Sequence, residues 1–201
     1  MTQEMLFGLP LFAFIATITP GPNNMMLLAS GANFGFRRTI PHMLGIGIGF
    51  MLMAVLVGIG IMVMFEQFPV LSLIMKGVSV VYLLYLAWKI ANAGTPSHAE
   101  TGSARPLSFI QAVAFQWINP KAWAIALSAI SLYAPDRSVS SVFSVVAIFG
   151  IINLPVVSLW TLLGEQMKRF LTNPKRLKVF NYTMAFLLIA SLLPILLPGN
   201  S

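Results

Sequence analysis

The chain carries Thr19-Pro20-Gly21-Pro22-Asn23-Asn24 deep inside its first hydrophobic segment, where an uninterrupted helix would otherwise be expected. A second interruption, Asn119-Pro120-Lys121, lies inside a hydrophobic segment of the second half. Proline removes a backbone N–H and clashes with the preceding turn, so both segments must be kinked or unwound there. In lipid, irregular backbone is tolerated only where protein or a polar cavity surrounds it. Because paired breaks of this kind mark the binding sites of secondary transporters, the sequence predicts a small transporter.

The composition is typical of an integral membrane protein. Of the 201 residues, 58% are hydrophobic and only 8% are charged, whereas soluble domains carry about 25% charged residues. A membrane-spanning helix needs about 20 apolar residues, and six segments meet this requirement. The predicted spans are residues 5–29, 41–64, 70–91, 109–133, 139–163 and 177–197. We therefore expect an all-α integral membrane protein of six transmembrane helices that is not an enzyme, since little of the chain is left for a soluble catalytic domain.

The net charge of +7 is distributed as the positive-inside rule describes, with every second connection between spans basic. The alternate connections hold only Glu66 and Asp136 with Arg137. This pattern predicts that both termini face away from the cytoplasm. It also favours a lipid bilayer, and not a nucleic acid, as the partner of the basic side chains. These basic side chains are Arg37, Arg38, Lys89, Arg105, Lys168, Arg169, Lys175, Arg176 and Lys178.

Two halves of similar organisation form the predicted single domain of residues 1–201. A polar stretch, residues 92–106, separates half-repeats of about residues 1–91 and 107–201. Three spans per half is an odd number, so the second half must enter the membrane from the opposite side. This arrangement predicts a 3+3 inverted repeat in which helices 1 and 4 are the broken ones. Gly45 and Gly49, four residues apart in the second span, predict a face for close helix packing.

The residues around the two breaks are the candidate substrate site. Asn23 and Asn24 begin the half-helix after Pro22, where asparagine caps well and the partial positive charge suits a carboxylate. The alternative is that these amides only satisfy backbone groups that the prolines release. The ammonium group of Lys121 is costly to bury in a membrane, so we expect it to face a cavity and to attract a carboxylate or balance charge. The full candidate set is Pro20, Gly21, Pro22, Asn23, Asn24, Gln116, Asn119, Pro120 and Lys121.

Within that set, Asn119 is expected to cap the second half of span four, and Gln116, one turn earlier, to reach the same cavity. Asn153-Leu154-Pro155 in span five indicates either a simple kink or a further side chain lining that cavity. Trp117 and Trp123 flank the second break closely enough to wall a pocket. The alternative for these tryptophans is a purely structural role.

The proton-coupling group is not evident, because no Asp or Glu lies in the middle of a predicted span. His42, at the start of span two, is either a solvated interfacial histidine or a group that titrates near neutral pH. The chain has no cysteine, and no histidines and carboxylates cluster at metal-ligand spacing. The sequence therefore predicts no metal site and no cofactor.

These motifs resemble those of the LysE/RhtB family of bacterial amino-acid exporters. The resemblance is carried by Thr19-Pro20-Gly21-Pro22-Asn23-Asn24, by Gly31 and Gly35, and by Asn119-Pro120-Lys121-Ala122. Gly77 with Tyr82-Leu83-Leu84-Tyr85-Leu86-Ala87-Trp88-Lys89 is similar to the third span of that family. Ala112 departs from the family pattern, which often has glycine there. The resemblance implies a multi-pass protein of the bacterial inner membrane that exports amino acids or derivatives by proton antiport.

A zwitterionic amino acid fits the predicted site on physical grounds. Its carboxylate would face the half-helix N-termini and Lys121, and its ammonium would suit carbonyls freed near Ile18 and Ile118. No acidic side chain lines the predicted site, which favours neutral substrates over dicationic ones. The alternatives are an exporter of a metal or other ion, and a passive channel. A homodimer is also compatible with six short spans, but no interface stands out.

Overall fold

The computed structural model describes residues 7–60, 69–93, 105–136 and 138–191, and the described residues are helical with no β-strand. Eight α-helices and one short 3₁₀ turn, Lys168–Phe170, form this part of the chain. The predicted all-helical class is confirmed. The helices are α1 (Leu9–Ile18), α2 (Pro22–Phe34), α3 (Phe36–Gly58), α4 (Pro69–Ala91), α5 (Phe109–Ile118), α6 (Pro120–Tyr133), α7 (Val139–Met167) and α8 (Pro174–Ala190).

Both predicted helix breaks are present. The first separates α1 from α2 over residues 19–21, and Gly21 is fully extended with φ −173° and ψ −178°. The second is a single residue, Asn119, between α5 and α6. Pro22 and Pro120 each begin the helix that follows, a position where proline is favourable because the first N–H of a helix has no intrahelical partner.

Several predicted boundaries move in the structure. The outer ends of α5 and α6 coincide with the predicted span 109–133, and α4 begins one residue before the predicted 70. In contrast, α3 begins five residues before the predicted 41, because Gly35 at φ 82° turns the chain within one residue. Arg37 and Arg38 therefore lie in the first turn of α3 and not in a loop. Parts of the predicted termini and of the polar stretch 92–106 lie outside the described residues.

The interruption predicted at Pro155 does not break its helix. The helix α7 runs continuously from Val139 to Met167, four residues beyond the predicted span. At its start, Ser138 caps the helix by accepting a hydrogen bond from the Ser141 amide. The Ser141 hydroxyl donates to Asp136 at 2.6 Å, and this bond, together with Ser138, lowers the pKa of the Asp136 carboxyl.

Glycines allow the helices to approach closely. A Cβ atom at Gly31 of α2 would collide with the backbone of α7, and one at Gly164 of α7 would collide with the backbone of α2. At Gly45 of α3 it would lie 2.5 Å from the Phe109 carbonyl oxygen, and at Gly49 it would lie 2.8 Å from the Val113 Cα. The close-packing face predicted at Gly45 and Gly49 is therefore confirmed, and its partner is α5.

Two of the described helices are long and apolar enough to cross a membrane: α3, and α7 with its 3₁₀ extension to Phe170. The half-helices α1 and α5 are apolar but shorter. Large apolar side chains point outward on several helices, with exposed fractions of 71% at Leu73, 72% at Ile151 and 68% at Phe186. Apolar surface of this extent is what a lipid environment covers.

Candidate substrate site at the paired helix breaks

The two breaks meet through Lys121, although they lie about 100 residues apart in the chain. Its Nζ donates to the carbonyl oxygens of Thr19 at 2.5 Å and Pro20 at 3.3 Å. The C-terminal end of a helix carries a partial negative charge. The ammonium group of α6 therefore sits against the carbonyl end of α1 and offsets that charge.

Asn24 also donates hydrogen bonds to carbonyl oxygens at the end of α1. Its Nδ2 donates to the Thr17 oxygen at 2.8 Å and to the Thr19 oxygen at 2.9 Å. The N-cap of α2 is Gly21, which has no side chain to cap with. The expectation that the asparagines cap this half-helix is wrong, because the cap position falls on the glycine. Asn24 instead satisfies backbone groups released by the break, which was the alternative interpretation.

Asn23 and Gln116 form a reciprocal amide pair, 93 residues apart in sequence. Asn23 Nδ2 donates to Gln116 Oε1 at 2.9 Å, and Gln116 Nε2 donates back to Asn23 Oδ1 at 3.3 Å. Gln116 is fully buried and also donates to the Ala112 carbonyl at 2.9 Å. This pair joins α2 to α5, but Gln116 is not among the described residues that line the small cavity between the breaks, so the prediction that it reaches that cavity is wrong.

The second break is satisfied locally and by α4. The Asn119 side chain accepts a hydrogen bond from the Lys121 amide at 3.2 Å, so the predicted cap of α6 is confirmed. The Ile118 carbonyl accepts from the Ser79 hydroxyl. Sequence reasoning missed Ser79. Its only signal was a buried hydroxyl in an apolar span, and such residues normally bond to backbone within their own helix.

Gly21 is the residue that admits Lys121 to the first break. A Cβ atom at this position would lie 2.7 Å from Lys121 Cδ and 3.0 Å from its Nζ. The lysine stem therefore packs directly over the glycine backbone. The Pro-Gly-Pro motif thus supplies an unwound segment, exposed carbonyls and the space in which the ammonium group reaches them.

A small cavity of about 40 Å³ lies between the breaks. Among its lining residues are Gly21, Asn23, Asn24, Asn119, Lys121 and Asn153. A water molecule occupies about 30 Å³ of liquid, so the cavity is too small for an amino acid in this conformation. Asn153 is buried, and its side chain makes no hydrogen bond to another described residue. The interpretation of Asn153 as a cavity-lining side chain is therefore confirmed.

Two other sequence interpretations are settled by position. Trp117 and Trp123 do not line this cavity; Trp123 Nε1 donates to the Trp117 carbonyl at 2.8 Å, and the rings meet edge to face. His42 is only 1% exposed, so the interpretation of a solvated interfacial histidine is wrong. The early start of α3 at Phe36 places His42 in the second turn of the helix, where it borders a cavity that residues of α2 and α4 also line.

Two unwound helices whose open ends satisfy one another around a polar cavity are typical of a secondary transporter. Comparison with known proteins agrees. The family model described as LysE type translocator matches residues 14–193, and the chain belongs to this family.

Curated relatives of the chain are also transport proteins. The cysteine/O-acetylserine efflux proteins of Escherichia coli O139:H28 and of Escherichia coli K12 are each 28% identical to the chain over 191 residues. The protein of that name from Salmonella typhimurium LT2 is 27% identical over the same length. Each alignment covers 94% of this chain and 96% of the relative. No solved structure matches the chain. The protein is thus a membrane protein of an amino-acid efflux family.

Proposed function

We propose that this protein exports small neutral amino acids or close derivatives from the cytoplasm by proton antiport, and that the substrate binds at the paired breaks. The carrying observation is that Lys121 of one break donates to carbonyls of the other. This contact makes the geometry of each break depend on the other. The residues assigned to the site are Pro20, Gly21, Pro22, Asn23, Asn24, Gln116, Asn119, Pro120 and Lys121.

The internal contacts suggest how a zwitterion is held. Lys121 Nζ occupies the carbonyls of Thr19 and Pro20, which are the acceptors that a substrate ammonium needs. A bound carboxylate draws the Lys121 ammonium towards itself and releases those carbonyls to the substrate ammonium. The substrate thus replaces one internal charge–dipole contact with two of its own. Because the cavity is only about 40 Å³, the breaks must separate before an amino acid fits.

The lining of the site supports a neutral substrate. Among the described residues around the cavity, Lys121 is the charged one, and no carboxylate is present to hold a second cationic group. The same observation weighs against a metal or other cation as the exported species. The relatives are named for efflux of cysteine and O-acetylserine, both small and carrying one carboxylate and one ammonium. This agreement supports substrates of that size and charge.

Helix contacts support six spans arranged as a 3+3 inverted repeat. In such a repeat the broken pair α1–α2 corresponds to α5–α6, α3 to α7, and α4 to α8. The broken first span packs on α7, and the broken fourth span packs on α3, as that exchange requires. Span four contacts α4 through its half-helix α5, and span one contacts α8 through its half-helix α2, so the exchange holds for whole spans and not for the individual half-helices.

Three contacts support the proposed orientation, with both termini periplasmic in the bacterial inner membrane. The Phe36 amide donates to Glu165 Oε1 at 3.1 Å, which joins the start of α3 to the end of α7. Asn181 of α8 pairs with Asn33 at 3.0 Å and donates to the Ala93 carbonyl at 2.9 Å. The basic connections are therefore gathered at one end of the helices, where the positive-inside rule assigns the cytoplasm. A homodimer remains part of the proposal.

The test is counterflow in proteoliposomes with labelled amino acids and an imposed pH gradient. We expect uptake of small neutral amino acids against their gradient, with O-acetyl-L-serine and L-cysteine as competitors and with loss of accumulation after addition of a proton ionophore. Uptake that equilibrates without accumulating would identify a passive channel. Absence of uptake of any amino acid by folded protein would overturn the proposal in favour of an ion or another solute.

A further inference from the structure

A second and larger cavity lies at the basic end of the helices. Its volume is about 340 Å³, within the range of roughly 300–1,000 Å³ that small-molecule sites occupy. Helices α2, α3 and α4 and the residues before α5 enclose it. Among the described residues, its polar lining includes Ser30, Asn33, His42, Lys89, Asn92 and Arg105. We call this space the basic vestibule.

His42 is the least satisfied polar side chain of the vestibule. It is 1% exposed, and neither ring nitrogen has a hydrogen-bond partner in the described part of the chain. A neutral imidazole carries one donor and one acceptor, and leaving a buried polar group unpaired costs about 1–3 kcal/mol. Since the ring borders the cavity, a ligand placed there would supply the missing partner.

The uncharged polar neighbours of His42 are already engaged. The Ser30 and Thr39 hydroxyls lie 2.9 Å apart in a hydrogen bond, and Asn33 is held by Asn181 and by the Ala29 carbonyl. Lys89 and Arg105, in contrast, form no ion pair with another described residue. His42 and these two cations are therefore among the groups left to meet a ligand.

The charges of the vestibule specify the ligand class. Lys89 and Arg105 are positive, and no carboxylate from the described residues lines the cavity. Of the other titratable groups near His42, Tyr85 lines the same cavity, and the Glu165 carboxylate is bonded to the Phe36 amide at the start of α3. A space of this size with two cations and an imidazole donor selects a small carboxylate.

Helix α2 connects the vestibule with the helix breaks. Its first turn carries Asn23 and Asn24 at the small cavity, and its later turns carry Ser30 and Asn33 at the vestibule. At 1.5 Å rise per residue, the nine steps from Asn24 to Asn33 span about 14 Å. The vestibule and the site between the breaks are thus both lined by α2, and a ligand can pass from one to the other along this helix.

We infer that the basic vestibule is an initial, cytoplasmic binding site for the exported amino acid. It binds the carboxylate of the amino acid through Lys89, Arg105 and a ring N–H of His42. The assignment rests on the proposed function for its substrate and its sidedness. The cations collect the anionic group, and the buried histidine fixes its position. The amino acid binds here while the breaks are closed, and moves along α2 when they separate.

The absence of cysteine from the chain permits a direct test with single introduced thiols. In purified protein in detergent, Ala93→Cys places a thiol in the vestibule lining, and Val139→Cys places one on the exposed start of α7 as the matched control. Each variant is reacted with an anionic and a cationic methanethiosulfonate. Relative to the control, we expect the anion-to-cation rate ratio of the Ala93→Cys variant to be about tenfold higher, because cation-lined clefts concentrate anions by about 10-fold or more. Equal ratios in the two variants would overturn the inference.

Ligand protection tests the carboxylate itself. O-acetyl-L-serine should slow labelling of the Ala93→Cys variant, whereas its methyl ester, which lacks the carboxylate, should not. Adding Lys89→Met and Arg105→Gln should remove both the charge preference and the protection. Equal protection by acid and ester would overturn the inference.

His42 is tested in the same background. His42→Leu removes both ring nitrogens and should raise the concentration needed for half-protection about tenfold, whereas His42→Gln, which keeps a donor and an acceptor, should restore most of the loss. Unchanged protection in folded His42→Leu would remove the histidine from the site. Because labelling needs no transport, failure of counterflow and failure of this inference are separate results.

Discussion

Replacing Lys121 by methionine removes the ammonium group that joins the two helix breaks while keeping an unbranched side chain of similar length. The lost contacts are those to the Thr19 and Pro20 carbonyls at 2.5 and 3.3 Å. Hydrogen bonds from a charged donor contribute about 1.5–3 kcal/mol. If that free energy holds the breaks in the arrangement that binds substrate, its loss lowers the transport rate about 10- to 150-fold, at 1.36 kcal/mol for each factor of ten.

The assay is the initial rate of counterflow in proteoliposomes at matched protein content. The matched control is Lys178→Met, which removes one positive charge at an exposed position of α8 where the ammonium lies 5.8 Å from the Tyr182 ring centre. We expect the control to transport at the normal rate. Asn24 still holds the Thr17 and Thr19 carbonyls in Lys121→Met, so the variant should fold, and gel filtration verifies this. A folded Lys121→Met protein that transports within twofold of the unaltered protein would refute the role of Lys121.

Three further predictions address the packing and the site. Gly31→Ala should lower the free energy of unfolding by about 1–3 kcal/mol, because the new methyl meets the backbone of α7. The control Gly77→Ala, which has open space around the new methyl, should not lower it. Thermal unfolding in detergent compares the two variants. Asn33→Ala and Asn181→Ala should show a coupling energy of about 0.6–1.7 kcal/mol in a double-mutant cycle, since they bond across α2 and α8; strictly additive losses would contradict the pairing. Gly21→Ala should slow counterflow by no more than Lys121→Met does, because the new methyl acts by displacing the lysine from the Thr19 and Pro20 carbonyls. A Gly21→Ala loss clearly larger than that of Lys121→Met would show that the glycine acts independently of the lysine.

The helix breaks could be predicted because their causes are local. Proline disrupts its own helix whatever the rest of the chain does, and Asn119 caps the residues directly after it. The start of α3 is also local in origin, yet the hydrophobic pattern predicts it five residues late, at residue 41 instead of Phe36. In the structure, α3 starts where Gly35 adopts a left-handed conformation. In the sequence, a glycine shortly before two arginines is equally compatible with a loop.

The pairing between breaks could not be predicted, because it depends on which helices are neighbours. The Asn23–Gln116 pair and the Lys121–Thr19 contact join residues 93 and 102 positions apart. The same limit applies to His42, whose burial depends on which helices pack around α3. A single histidine near a predicted helix end reads as interfacial until its neighbours are known.

The structure also explains why the conformation without substrate is stable. The Thr19 carbonyl at the first break has donors from within the protein, Asn24 and Lys121, and the Ile118 carbonyl at the second has one from Ser79. A break in a membrane helix with unsatisfied carbonyls would cost several kcal/mol per group, so a closed site without these donors would unfold locally. Lys121 is the donor that a substrate can most readily replace, because its long side chain rotates away without moving a helix. In the proposed mechanism, the substrate ammonium binds the carbonyls that Lys121 releases, so the site opens as it is occupied. We therefore expect obligatory exchange and not passive leakage.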